Sequence, residues 1–233
     1  MQELPTLHST LLERIRAAKT NVLPTARIIL LLQPHDNPTA QWHENALRTA
    51  DDECAKALGD DENHKLAGLL LIVENAGAVH ALEGPTLAIS AYATALYAAR
   101  PDRVRVLAAM EHVPRRSYLH WDLVRVADVS TQTSVVIDDA TTEALEAVAA
   151  DTAIAMIRLG RAAADSGPGP LETLLKSKSS REHEIAASGV SSEHISALLG
   201  AKGLPTLSDF LTIFEESVNV VLDEEVVWPP PPP

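Results

Sequence analysis

The sequence contains one cysteine, few aromatic residues and no long apolar run, and each of these scarcities excludes a class of site or structure. The single thiol, Cys54, rules out an intrachain disulfide and a metal site built from several cysteines. One cysteine is typical of a reducing compartment, so we expect a cytoplasmic protein. Aromatic side chains make up only 3% of the residues, so the core must be built from aliphatic side chains.

Long apolar runs and positive charge are also scarce. No apolar stretch approaches the roughly 20 residues that a membrane helix needs, and the first residues lack the basic stretch and apolar run of a secretory signal. The chain has 19 lysines and arginines against 32 acidic residues, a formal net charge of -13. Such a chain repels nucleic acid and anionic lipid, so we expect neither nucleic acid nor a membrane as a partner.

The motifs of common catalytic and metal sites are missing. No Gly-x-x-x-x-Gly-Lys-Ser/Thr phosphate loop occurs, and Gly167–Pro170 cannot replace it because proline lacks the amide that would bind phosphate. The serine-hydrolase sequence Gly-x-Ser-x-Gly is absent too. His35–Asp36 and Glu182–Glu184 pair histidine with carboxylates, but neither has the His-x-x-x-His spacing that puts two ligands on one helix face. We therefore predict no enzyme, no catalytic residue, no metal and no cofactor.

Apolar periodicity predicts alternating strands and helices in the middle of the chain. Strands are predicted at 27–32, 66–73, 78–82, 104–110 and 118–126, and helices at 39–58 and 86–99. The order β-α-β-β-α-β-β places two helices on one face of a mostly antiparallel sheet. The sequence therefore predicts an α+β fold, a ferredoxin-like sandwich with an N-terminal helix and a C-terminal helical extension.

The flanking segments differ from the middle in composition. Leu7, Leu11, Leu12 and Ile15 have the spacing of a short amphipathic helix, and a later apolar patch, available to dock on a partner, has Thr206 or Ser208 as its cap. We divide the chain into an N-terminal helical segment (1–24), the sandwich (25–132), a helix (133–165), a linker (166–192), a helical patch (193–220) and a proline-rich tail (221–233).

Two stretches of the sandwich carry a family resemblance. One ends in Leu82-Glu-Gly-Pro85 after a hairpin, and the other runs from Pro101 through Arg115-Arg-Ser-Tyr-Leu-His-Trp121. In phrase and spacing they resemble BLUF domains, the flavin-binding sensors of blue light. The resemblance covers roughly a hundred residues and implies a ferredoxin-like sandwich that holds its flavin between two helices.

The residues on which BLUF photochemistry depends are replaced. The first strand contains no tyrosine, His80 stands at the position of the hairpin glutamine, and Asn63 is out of register with the flavin-binding asparagine. The chain is more similar to a smaller group of BLUF-like proteins that lack the sensing residues and occur in eukaryotes with motile cilia, including a testis-expressed protein of the sperm tail. That similarity implies a non-enzymatic structural component of the cilium or flagellum that binds other axonemal proteins. The alternative is an FAD-binding sensor or regulatory domain with an atypical photocycle or none.

Individual residues receive mostly structural interpretations. We expect His80 to be a hydrogen-bonded core group, Glu83 to cap the helix that follows it, and Cys54 to pack within a helix. The tail is the candidate partner-binding site, because a polyproline II segment fits the aromatic-lined groove of SH3, WW or profilin-like domains. Its residues are Trp228, Pro229, Pro230, Pro231, Pro232 and Pro233.

Overall fold

The computed structural model describes residues 25–33, 40–59, 61, 64–99, 104–126, 142–165, 190–201 and 203–215. The strands are β1 Thr25–Leu32, β2 Ala67–Val73, β3 Gly77–Pro85, β4 Val104–Val113 and β5 Trp121–Val126. The helices are α1 Ala40–Leu58, α2 Thr86–Ala99, α3 Thr142–Asp165, α4 Ser192–Gly200 and α5 Leu207–Glu215.

The five strands form one sheet in the order β4-β1-β3-β2-β5. β1 pairs antiparallel with β3 and β4, β2 pairs antiparallel with β3, and β5 joins the other side of β2 in parallel. The first four strands and two helices have the ferredoxin-like arrangement, and β5 extends it. The predicted α+β class and ferredoxin-like architecture are confirmed.

The sheet is covered on both faces, so its central strands have two cores rather than one. Ile28, Leu30 and Leu32 of β1 point toward α1, α2 and α5, whereas Ile29 and Leu31 point toward α3 and α4. All five side chains are buried. Alternation along the strand explains why β1 is apolar at every one of these positions, as strands covered on both faces usually are.

Most predicted element bounds agree with the structure to within a few residues. The helix predicted at 86–99 is α2, and α1 ends at Leu58 before Gly59, whose φ of 92° suits glycine. β5 begins at Trp121 rather than at 118, because the amides of Ser117 and Tyr118 bond to the Glu83 carboxylate instead of to a strand. Local periodicity carries no signal for such a contact.

The C-terminal patch is two helices that pack on the same chain. Ser191 caps α4 by accepting from the His194 amide. Thr206, one of the two predicted caps, accepts from the Asp209 amide at 3.1 Å. Leu207 and Leu211 are buried against α2 and β4, so this side of the patch is not available to a partner, contrary to the prediction. The N-terminal segment, the linker up to residue 189 and the tail lie outside the described residues.

Gly160 of α3 allows the helix to approach the loop before β5. The hydroxyl of Tyr118 donates to the Met156 carbonyl at 2.5 Å. A Cβ atom at position 160 would lie 2.6 Å from that tyrosine ring and 2.9 Å from the Ser117 carbonyl oxygen. We expect Gly160→Ala to lower the free energy of unfolding by about 1–3 kcal/mol through overpacking, measured by chemical denaturation.

The matched control for this substitution is Gly200→Ala at the end of α4. No atom beyond the adjoining residues and the backbone of α4 lies within 4 Å of a Cβ built there, and alanine favours the helix by up to about 1 kcal/mol. This variant should be as stable as the parent or more so. Equal stability of Gly160→Ala and the parent would show that α3 does not approach Tyr118 this closely.

Candidate functional site

A chain of four hydrogen-bonded side chains lies between the helices and the sheet. His43 of α1 bonds through Nδ1 to the Tyr92 hydroxyl of α2 at 2.6 Å, and this hydroxyl bonds to Nδ1 of His80 on β3 at 3.0 Å. The indole Nε1 of Trp121 on β5 donates to Nε2 of His80 at 3.0 Å. His43, Tyr92 and His80 are fully buried. We call these four residues the polar chain.

The direction of every hydrogen bond in the polar chain follows from Trp121. An indole N–H can only donate, so Nε2 of His80 is the acceptor and its Nδ1 carries the proton. The Tyr92 oxygen therefore accepts from His80 and donates its own proton to Nδ1 of His43. Consequently the remaining proton of His43 is on Nε2, and the polar chain is neutral throughout.

The polar chain ends in an unsatisfied donor. Nε2 of His43 is the one buried side-chain nitrogen or oxygen among the described residues that has no hydrogen-bond partner. A buried polar group of this kind costs about 1–3 kcal/mol. The polar chain is therefore satisfied at every internal link and unsatisfied only at its end.

The acid–base properties of the polar chain match its neutral state. Burial lowers the pKa of His43 to about 4. Burial, and then the neighbouring His43, lower the pKa of His80 as well, whereas burial raises the pKa of Tyr92. A general acid or base works best with a pKa near the operating pH. None of these three groups has a pKa near neutrality, so the polar chain is uncharged at neutral pH and joins α1 and α2 to the sheet.

A second buried polar centre lies on the opposite face of the sheet. Arg27 donates from Nε to Oε1 of Glu83 at 2.6 Å and from Nη2 to the Ser117 hydroxyl at 3.0 Å. Oε2 of Glu83 accepts from the backbone amides of Ser117 and Tyr118 at 2.6 and 3.3 Å. The carboxylate is thus paired and fully bonded, which a buried charge requires.

Glu83 is a correction to the sequence-based prediction, which made it the cap of α2. The side chain lies on the α3 face with Val79 and Ala81, whereas α2 covers the other face. Alternation along β3 sends His80 and Glu83 to opposite faces because their positions differ by three, an odd number. The predicted cap is therefore wrong, and Glu83 holds the loop before β5.

Other predicted residues are structural or lie elsewhere. His80 is the hydrogen-bonded core group that was predicted, and Cys54 is buried in α1, where burial raises the pKa of its thiol. No cluster of three metal-ligating side chains occurs among the described residues, and no helix in that part of the chain could cross a membrane. His35–Asp36, Glu182–Glu184 and the residues from Trp228 to Pro233 lie outside the described residues.

Sequence reasoning missed two of the four members of the polar chain. Apolar periodicity predicts the two helices but singles out neither Tyr92 of α2 nor His43 of α1. The available signal was the presence of a hydroxyl and an imidazole on helix faces that are otherwise apolar, since such groups need partners when buried. Only the fold shows that the partners are each other.

Comparison with known proteins gives one family. A family model described as testis-expressed protein 47 matches residues 32–216, a region that includes the whole polar chain. No curated protein matches the chain significantly. Among solved structures, a bacterial light-regulated adenylyl cyclase is 11% identical with a TM-score of 0.31, and the match covers 49% of this chain and 31% of the cyclase chain.

Tyr92→Phe tests the centre of the polar chain. The substitution keeps the ring but leaves the His80 Nδ1–H and the His43 Nδ1 without a partner, and each unsatisfied group costs about 1–3 kcal/mol. We expect a clear fall in the free energy of unfolding, measured by urea denaturation. The matched control is Tyr97→Phe on the same helix, whose hydroxyl has only a 3.4 Å bond from Ser208. Equal losses for the two variants would contradict the polar chain.

His43→Asn tests the pKa shift. The folded-state pKa of about 4 lies below the unfolded value of 6.5, so the unfolded chain binds a proton first as the pH falls. The contribution of the neutral His43 to the free energy of unfolding is therefore fully present above pH 6.5. It decreases toward pH 4, by about 3 kcal/mol for a shift of this size. Asparagine does not titrate, and its Oδ1 can still accept from Tyr92.

The measurement is the difference in unfolding free energy between parent and His43→Asn at several pH values. We expect that difference to be constant above pH 6.5 and to move in favour of the variant at lower pH. His80 is present in both proteins, and burial, the main cause of its lowered pKa, is the same in both. Parallel stability curves down to pH 4.5 would show that residue 43 is not a buried neutral imidazole.

Proposed function

This chain belongs to the testis-expressed protein 47 family, and we propose that it is a non-enzymatic structural component of the motile cilium that binds other axonemal proteins. The observation that supports this proposal best is the polar chain. It occupies the space between α1, α2 and the sheet with side chains that bond to one another and are neutral at pH 7. A family described as testis-expressed is in keeping with a role in the sperm tail, the motile cilium of that tissue.

The sandwich is, in this proposal, a BLUF-like domain without its flavin. The resemblance places a flavin between the two helices, against the first strand and the hairpin. There β1 offers only Ile28, Leu30 and Leu32, and the imidazole of His80 is already bonded on both nitrogens, to Tyr92 and Trp121. These residues do not fit a flavin ring, since the side chains of the polar chain already bond to one another between the helices and the sheet.

The proposed mode of action is docking of a stable sandwich in a larger assembly. The chain is strongly acidic, with a net charge of -13, so basic surfaces on axonemal proteins would be steered toward it. The proline-rich tail, Trp228 and the five prolines after it, is a second contact in this proposal, directed to an aromatic-lined groove. The cytoplasmic, axonemal location is part of the same proposal.

Fractionation of sperm tails tests the structural role. After detergent removes membrane and soluble protein, we expect this protein to stay with the axoneme and to be released by high salt, because charged contacts weaken as salt screens them. A tagged chain lacking residues 229–233, compared with the full chain, reports what the tail contributes to retention. Quantitative release by detergent alone would overturn the proposal.

FAD binding is the second candidate, and one observation favours it. The unsatisfied Nε2–H of His43 is a buried donor that could donate a hydrogen bond to a flavin carbonyl or ring nitrogen. A thermal-shift titration with FAD and FMN separates the candidates, because a ligand at 100 times its dissociation constant adds about 2.7 kcal/mol of stability. No shift and a colourless protein are expected for the structural role. A stoichiometric yellow chromophore would overturn that role.

A further inference from the structure

An apolar groove runs along the edge of the sheet on the α3 face. It lies between β4, the edge strand, and α3, and has a volume of about 390 Å³. Its walls are mainly aliphatic and include Leu107, Met110, Ala150, Ile154, Ile157 and Leu204. We call it the β4–α3 groove.

Large apolar side chains are exposed on both walls of the β4–α3 groove. Met110 of β4 is 40% exposed, and Ile154 of α3 is 44% exposed although Ala153 and Ala155 beside it are buried. Contiguous exposed apolar surface on a folded domain usually marks a contact. Something that presents an apolar face is therefore expected to cover this groove.

The chain enters the sheet at one end of the β4–α3 groove. Thr25, the first residue of β1, pairs with Val113, and Arg27 pairs with Met110. A guanidinium nitrogen of Arg27 also lies 4.0 Å from the Met110 sulfur. Residues 1–24 are thus joined to the fold a few residues from the groove wall, so their local concentration there is high.

We propose that residues 4–21 pack into the β4–α3 groove as an amphipathic helix, with Leu7, Leu11, Leu12 and Ile15 on its walls. A helix of that length spans about 27 Å, and the groove wall from Glu146 to Ile157 spans about 17 Å. Residues 22–24 link this segment to Thr25, the first residue of β1. This inference does not depend on the proposed function.

The C-terminal segment is a poorer occupant of the same groove. It leaves α5 on the opposite face of the sheet, where Leu207 and Leu211 are buried. It is also acidic, with Asp223, Glu224 and Glu225, and the one charged residue of the groove wall is Glu146. The N-terminal segment instead carries a net positive charge and is the nearer of the two.

Methyl NMR of methionine tests the proposal on the full chain. The chain has three methionines, Met1, Met110 in the groove and Met156 in the core. With ¹³C-methyl labelling, the double variant Leu11→Asp/Leu12→Asp should shift the Met110 resonance and increase its broadening by a soluble paramagnetic probe. The Met156 resonance should not move. The matched control, Ser9→Asp/Thr10→Asp, adds the same charge on the opposite helix face and should leave Met110 unchanged.

Cysteine pairing gives a second readout. Leu11→Cys with Ile154→Cys should form an intramolecular disulfide under mild oxidation, whereas Leu11→Cys with Leu87→Cys, 45% exposed on α2 of the opposite face, should not. An unchanged Met110 resonance in the Leu11→Asp/Leu12→Asp variant overturns the proposal and leaves the groove to another protein. A disulfide-linked dimer formed by the first pair also overturns it and assigns the groove to a second copy.

Discussion

The indole N–H of Trp121 is the constraint on which the packing of α1 and α2 against the sheet depends. Because that group can only donate, it sets the tautomer of His80, the orientation of the Tyr92 hydroxyl and the tautomer of His43 in turn. One donor on the last strand thereby links β5, β3, α2 and α1. A buried network of this kind stabilises one arrangement of its helices over others, since any shift leaves polar groups without partners.

The opposite face of the sheet depends in the same way on a buried pair of charged side chains. Arg27 and Glu83 are both buried, and their remaining bonds go to Ser117 and Tyr118. The Tyr118 hydroxyl donates to the Met156 carbonyl of α3. The loop before β5 therefore connects the ion pair to α3. The two polar centres hold helices to both faces of a sheet whose other contacts are mainly aliphatic and carry little directional information.

Much of the fold could be predicted because its signals are local. The bounds of α2 and the hairpin follow from periodicity and from turn residues such as Gly77, whose φ of 145° an L side chain rarely adopts. The site was only half predictable. His80 was correctly assigned to the core, but Glu83 was assigned to the wrong partner, and His43 and Tyr92 were not singled out, because their partners lie far away in sequence.

The sequence by itself determined the order of the elements, the aliphatic core and the absence of tyrosine from the first strand. Each of these depends on residue type or on neighbours within a few positions. Only the tertiary structure decided that Trp121 meets His80, that Glu83 faces Arg27 and that the C-terminal helices pack on their own chain. These contacts join residues 41, 56 and more than 90 positions apart, and a pairing over such distances has no local pattern from which it could be read.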